Sequence, residues 1–168
     1  MVLQGTYVCL RPALERDVDA LVRIRSTSEV RARWRGEDIT ADVRDSVADD
    51  TLHLLVIEDA DANVVGAIQW AGEEDPEYRH ASVDMFLDPT VHCRGWGTDA
   101  TRTLCHHLLT VEGFHRLTID PAADNLAAIR CYENVGFHRV GVMRQYERGA
   151  DGTWHDGLLM DLLADDLQ

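Results

Sequence analysis

The chain has 168 residues, enough for one domain with one sizeable core, so a single domain over residues 1–168 is expected. Thirty acids face sixteen bases, all of them arginine, for a formal net charge of -14. That field disfavours nucleic acid and anionic membranes as partners and favours cationic ligands. No apolar run approaches the roughly 20 residues of a membrane helix. "MVLQGTYVCLRP" has no signal-peptide layout, so a cytoplasmic chain is expected. Cys9, Cys93, Cys105 and Cys131 form no C-x-x-C pair and read as free thiols.

In chain order, "GTYVCLRP" (5–12) alternates as a first strand that Pro12 ends. "ALERDVDALVRIRS" (13–26) puts Leu14, Val18, Leu21 and Val22 on one helical face. "SEVRARWRGED" (28–38) is irregular and polar, and "TADVRDSVADD" (40–50) suits a short second helix. "LHLLVIED" (52–59) and "NVVGAIQWAG" (63–72) read as strands joined by a tight turn, and "HASVDMFLD" (80–88) as a third beyond a charged loop. Ala100, Leu104, Leu108 and Val111 mark a helical face that Gly113 stops. "HRLTID" (115–120) is a strand, and "DNLAAIRCYENVGF" (124–137) a helix with Asp124 or Asn125 as cap and Gly136 as stop. Two closing strands, 137–146 and 154–163, flank the turn "RGADGT". This order predicts one α/β (α+β) domain, with a mixed sheet of six to seven strands and about four helices.

The stretch "HCRGWGTDA" (92–100) joins a strand to a helix. The first turn of that helix has N–H groups without internal partners and the positive end of the dipole. Gly95 and Gly97 let the backbone approach closely and Arg94 adds a charge, so the junction suits a pyrophosphate. It lacks the ending of a nucleoside-triphosphate loop and comes too late for a dinucleotide fold. In "ASVDMFLD", Asp84 stands alone among apolar neighbours, with Val83 and Met85 on the opposite face. Such a carboxylate either pairs with an arginine or serves a cleft, binding a cationic substrate and accepting its proton. Tyr132 follows Ala128 by one helical turn, so both share a face. His106 and His107 point about 100° apart on their helix, which argues against a metal site with His92 and Cys93.

The run His92-Cys93-Arg94-Gly95-Trp96-Gly97 resembles the Gln/Arg-x-x-Gly-x-Gly/Ala loop of GCN5-related N-acetyltransferases (GNAT), with His92 departing at the first position. Asn125, Ala128, Tyr132, Gly136 and Phe137 fall in register with that superfamily's Asn-x-x-Ala-x-x-x-Tyr-x-x-x-Gly-Phe helix. The resemblance covers nearly the whole chain and implies the GNAT fold, with acetyl-CoA as acyl donor. It implies that residues 93–98 (Cys93, Arg94, Gly95, Trp96, Gly97, Thr98) hold the pyrophosphate. Asn125 and Ala128 would lie along the pantetheine arm, which runs between splayed strands beside Phe86 and Leu87. A backbone N–H at Phe86 or Leu87 would then face the oxyanion, and Tyr132 would protonate the leaving thiolate.

"EEDPEYRHASVD" and "NLAAIRCYENVGF" are most similar to the aminoglycoside 6'-N-acetyltransferase branch. That likeness implies Asp84 as base, and Glu73, Glu74 and Asp75 as a lining of the substrate cleft. Trp34 would stack on a sugar or anchor its loop, and Asp156 is a further substrate-contact candidate. The implied acceptor is a cationic primary amine, and the protein a monomer or homodimer. Two alternatives stay open: an N-terminal acetyltransferase of the ribosomal-protein type (or one for small amines and polyamines), and a non-catalytic acyl-CoA-binding module.

Overall fold

A computed structural model describes residues 1–149 and 151–168. Near the start, the N–H groups of Thr6, Tyr7 and Val8 donate to the Asp99 carboxylate at 3.0, 2.8 and 3.2 Å. This capture replaces the single strand expected over 5–12 by two short ones, β1 (Leu3–Gln4) and β2 (Cys9–Pro12), paired antiparallel. Asp99 is buried, so removing its carboxylate strands three backbone donors. Asp99→Ala is expected to cost about 3 kcal/mol of unfolding free energy, read from the denaturant midpoint. An unmoved midpoint would show that water satisfies those donors instead.

After a short 3-10 turn come α1 (Val18–Arg25), α2 (Ser28–Arg31) and α3 (Ile39–Ala48). Val18, Leu21 and Ile24 carry the buried face of α1, while Leu14 lies before the helix and is exposed. The stretch expected to be irregular thus contains the short α2, and Asp38 caps α3 by accepting from the Thr40 and Ala41 N–H groups. The middle of the chain is an antiparallel meander of β3 (His53–Glu58), β4 (Val64–Glu73) and β5 (His80–Leu87). α4 (Trp96–Thr110) then crosses over to β6 (Arg116–Ile119), which runs parallel to β5. α5 (Leu126–Glu133) leads to the closing strands β7 (His138–Arg148) and β8 (Trp154–Leu163). Ala150, inside the turn expected between them, lies outside the described residues.

Among the described residues, eight strands form one sheet, β1-β2-β3-β4-β5-β6-β8-β7, mixed and mostly antiparallel as expected. Among the described residues there are eight strands where six to seven were expected, the first being split, and five α-helices where about four were expected, α2 being the addition. Strand alternation sends side chains to two layers. Ile68, Val83, Leu104, Leu108 and Leu117 pack on the side of α4 and α5, and Ala67, Phe86, Leu21 and Ile24 on the side of α1 to α3. Val111, expected on the buried face of α4, lies past the helix end and is exposed.

One irregularity positions the site. β5 and β6 pair only at Ala81 with Leu117 and Ser82 with Thr118. Beyond Ser82, β5 runs on to Leu87 beside β4 alone, leaving a gap through the sheet.

Candidate active site

Around that gap lies a cleft of about 700 Å³. It is lined by Trp34, Asp84, Phe86, Leu87, His92, Cys93, Gly95, Trp96, Gly97, Thr98, Asn125, Ala128 and Tyr132 among others, so most of the site residues read from the sequence converge here.

At one end, residues 92–98 turn into α4. Gly95 sits at the helix N-cap with φ +80°, and Cys93 takes φ +59°, a backbone region that non-glycine residues seldom adopt. The first intrahelical bond at this end runs from the Asp99 N–H to the Gly95 carbonyl. The N–H groups of Trp96, Gly97 and Thr98 therefore have no partner in the preceding turn and are free for an anion. A Cβ on Gly97 would stand 3.3 Å from Leu87 Cδ1 and 3.4 Å from Cys131 Sγ, so the bare backbone keeps this end of the gap open. An elongated ligand with a diphosphate at one end fits these features. His92 Nε2 lies 3.3 Å from the Leu87 carbonyl, which fixes the loop to β5. The Arg94 guanidinium lies over the Trp96 ring at 5.5 Å and outside the cleft lining.

Along the gap, the Asp88 N–H donates to the Val65 carbonyl on β4 at 2.8 Å. Backbone groups alternate sides along a strand, so the Phe86 N–H points to β4 as well, while those of Met85 and Leu87 point into the gap. The Met85 N–H donates to the Asp84 carboxylate at 2.8 Å, leaving Leu87 as the donor facing the gap. Of the two expected oxyanion donors, then, Phe86 is turned away; its ring packs edge-on to Trp34 at 4.9 Å. Trp34 thereby anchors its loop, with the Arg25 guanidinium over its ring at 5.6 Å. On the facing wall, the Asn125 side chain caps α5, accepting from the Ala128 N–H at 3.3 Å.

Asp84 and Tyr132 approach the gap from opposite layers. Asp84 shares the strand face of Phe86, toward α1 to α3, whereas Tyr132 on α5 belongs to the other core layer. Asp84 opens onto the cleft, yet the walls crowd out most of its solvation, and its pKa is pushed up to about 7. The Met85 N–H opposes that rise, and the charges of Asp120 and Glu147 add to it. Burial, then the Asp84 charge, raise the Tyr132 phenol well above its ordinary value, so it stays protonated. Asp84 and Tyr132 are thus coupled by charge across the gap.

Four residues expected to contact the substrate lie elsewhere. Glu73 pairs with His80 at the far end of the β4–β5 ladder, on the order of 13 Å along β5 from Asp84. Glu74 pairs with Arg79 at 3.2 Å, and the Glu73 carboxylate accepts from the Asp75 N–H, so these three acids form a local turn outside the cleft. Turn formation and solvation account for them. Asp156 is outside the lining too; its carboxylate accepts from the Gln145 N–H at 2.8 Å, where β7 kinks at φ +50°. It shapes the strand that carries Tyr146 and Glu147 into the cleft.

Sequence reasoning missed Asp120, Tyr146, Glu147 and Arg35, all of which line the cleft. The Tyr146 phenol is pushed up to about 12, chiefly by the Asp120 carboxylate beside it. Asp120 had a legible signal: it follows β6 directly, at the carboxyl end of a parallel strand, where α/β sheets place ligands. Tyr146 and Glu147 had none, because their position depends on the β7 kink. Among the described residues, no group of three or more His, Cys, Asp or Glu is placed to hold a metal ion.

Residues 8–138 match the family described as "Acetyltransferase (GNAT) domain". Aminoglycoside N(6')-acetyltransferase type 1 of Klebsiella pneumoniae is 36% identical over 75 residues, 44% of this chain and 36% of its own length, so the match spans about a third of that relative. Mycothiol acetyltransferase of Kytococcus sedentarius is 29% identical over 145 residues, 83% of this chain and 48% of its own. Among solved structures, aminoglycoside acetyltransferase AAC(6')-Ib in complex with coenzyme A superposes with a TM-score of 0.77 at 24% identity, covering 95% of this chain and 96% of that one. Fold, cleft geometry and the match over residues 8–138 agree: this chain belongs to the GNAT acetyltransferase family.

Proposed function

We propose that this protein is an acetyl-CoA-dependent N-acetyltransferase that acetylates a primary amine of an aminoglycoside, at the 6' amino group, and so confers resistance. The observation that carries the reading is the opposition of Asp84 and Tyr132 across a gap that passes through the sheet. Acetyl-CoA would supply an acyl thioester. The unpaired N–H groups of Trp96, Gly97 and Thr98 would hold its diphosphate, and Leu87, Asn125 and Ala128 would line its arm. Asp84 binds the acceptor ammonium and takes its proton, since only the free amine is a nucleophile. The Leu87 N–H faces the carbonyl oxygen as charge develops there. Tyr132 returns a proton to the departing sulfur. A non-catalytic module would need neither Asp84 nor Tyr132 in the cleft.

The acceptor class rests on charge and on the partial match to the Klebsiella pneumoniae enzyme. Asp84, Asp120 and Glu147 set three carboxylates around the acceptor side, which suits a polycation. Purified protein with acetyl-CoA is expected to release thiol with aminoglycosides bearing a 6' amine, and not with congeners bearing a 6' hydroxyl. Expression should raise the inhibitory concentration of the former alone. Turnover confined to polyamines or to peptide N-termini would overturn the aminoglycoside assignment.

A further inference from the structure

The loop after α2 sends two arginines over the cleft. Arg33 pairs with Asp124 at 2.6 Å, and Arg35 pairs with Glu147 of β7, 112 residues away in sequence. The base of this loop is fixed: the Arg35 carbonyl accepts from Arg25 Nη2 at 2.9 Å, and Trp34 packs on Phe86. Arg25 itself is buried on α1, close to Asp42 at 3.9 Å. The backbone is thus held while the Arg35 side chain reaches across as a tethered cation.

That cation is incompletely satisfied. Arg35 Nε is buried without a hydrogen-bond partner, so the guanidinium engages Glu147 from one side only. Fork geometry, the source of strength in arginine–carboxylate pairs, is missing here. Both side chains also keep contact with solvent, at 27% and 39% exposure, which weakens the pair further. Glu147 faces the same space as Asp84, whose carboxyl group it affects through its charge.

We infer that Arg35 sets acceptor specificity as an internal competitor, holding Glu147 until an acceptor with a second ammonium group displaces it. A monocation satisfies Asp84 and leaves the Arg35–Glu147 pair standing. A di- or polycation gains Glu147 as a second anchor but must break that pair, so the free protein discriminates less strongly than its carboxylates alone would. The inference rests on the reading of Asp84 as the acceptor anchor, and holds for any polyamine acceptor.

The test compares wild type, Arg35→Ala and Glu147→Gln with tobramycin, spermidine and a monoamine, by initial rates and by calorimetric titration in the presence of coenzyme A. Arg35→Ala is expected to lower KM and Kd for the two polycations roughly two- to five-fold, the range for releasing a partly exposed pair. The change should appear mainly in KM, and the monoamine should respond less, because the freed Glu147 reaches it only through its charge near Asp84. Glu147→Gln should remove the advantage of the polycations over the monoamine. Unchanged or weaker polycation binding in Arg35→Ala overturns the inference, as does an equal response of the monoamine. If spermidine shows the effect and tobramycin is neither bound nor acetylated, the aminoglycoside assignment falls while the role of Arg35 stands. If tobramycin is turned over and Arg35→Ala changes nothing, the role of Arg35 falls while the aminoglycoside assignment stands.

Discussion

Asp84→Asn is expected to lower kcat/KM by about 10²- to 10⁴-fold, the range for loss of a positioned general base. The replacement keeps size and the Met85 N–H contact but cannot take a proton. The pH dependence identifies the mechanism. A base works only when deprotonated, and Asp84 titrates near 7, so wild-type activity should rise with pH through about 7. At pH 6, one unit below, roughly a tenth of the molecules carry the active carboxylate. The variant should lose this limb. Binding of a cationic acceptor moves the midpoint down, so kcat should titrate at lower pH than kcat/KM.

Stability gives an independent check with the opposite sign. The Asp84 pKa is raised above its ordinary value of 3.8, so the native state binds its proton more tightly than the unfolded chain does. Ionisation therefore costs stability progressively as pH rises from about 4 to about 7, and the cost stays constant above that. Asp84→Asn should accordingly melt no lower than wild type at pH 8. An inactive variant with a reduced melting temperature would point to a structural role, and a retained pH limb would assign the titration to another group.

The contrast between Asp84 and residues 73–75 shows what the sequence carried. Asp84 was legible because strand alternation set a lone carboxylate at one defined face of an apolar strand. Gly95 and Gly97 were legible because backbone shape at a helix start depends on neighbouring residues alone. Asn125 was legible as a cap for the same reason. Glu73, Glu74 and Asp75 form a conspicuous acidic run, but the register of β4 with β5 carries them to the end of the ladder away from the gap. Register is a tertiary property. The split of the first strand had the same origin, because the acceptor for Thr6, Tyr7 and Val8 is Asp99 on a helix more than ninety residues later. Arg35, Asp120 and Glu147 escaped for a third reason: they reach the cleft from three separate elements, and no local pattern links them.

Tyr132→Phe carries the other large effect, an expected fall in kcat of about 10²- to 10³-fold with KM for acetyl-CoA little changed. Only the hydroxyl is lost, and the buried ring keeps its tilted contact with Phe137 at 6.1 Å, so the fold should hold. A phenol raised well above 10 is a reluctant acid, which taken alone would disqualify it. Part of that reluctance, however, comes from the Asp84 charge. In the proposed mechanism Asp84 loses that charge on taking the acceptor's proton, and the phenol becomes more acidic as the sulfur needs its proton. On that proposal the two groups act in sequence through one electrostatic coupling. Two measurements follow. A donor whose leaving group needs no proton, such as p-nitrophenyl acetate, should be far less sensitive to Tyr132→Phe than acetyl-CoA. The double variant with Asp84→Asn should be less impaired than the product of the two single losses, because each group's contribution depends on the other. Strict multiplicativity would show that the gap separates the two residues energetically, and equal sensitivity to both donors would remove Tyr132 as the acid.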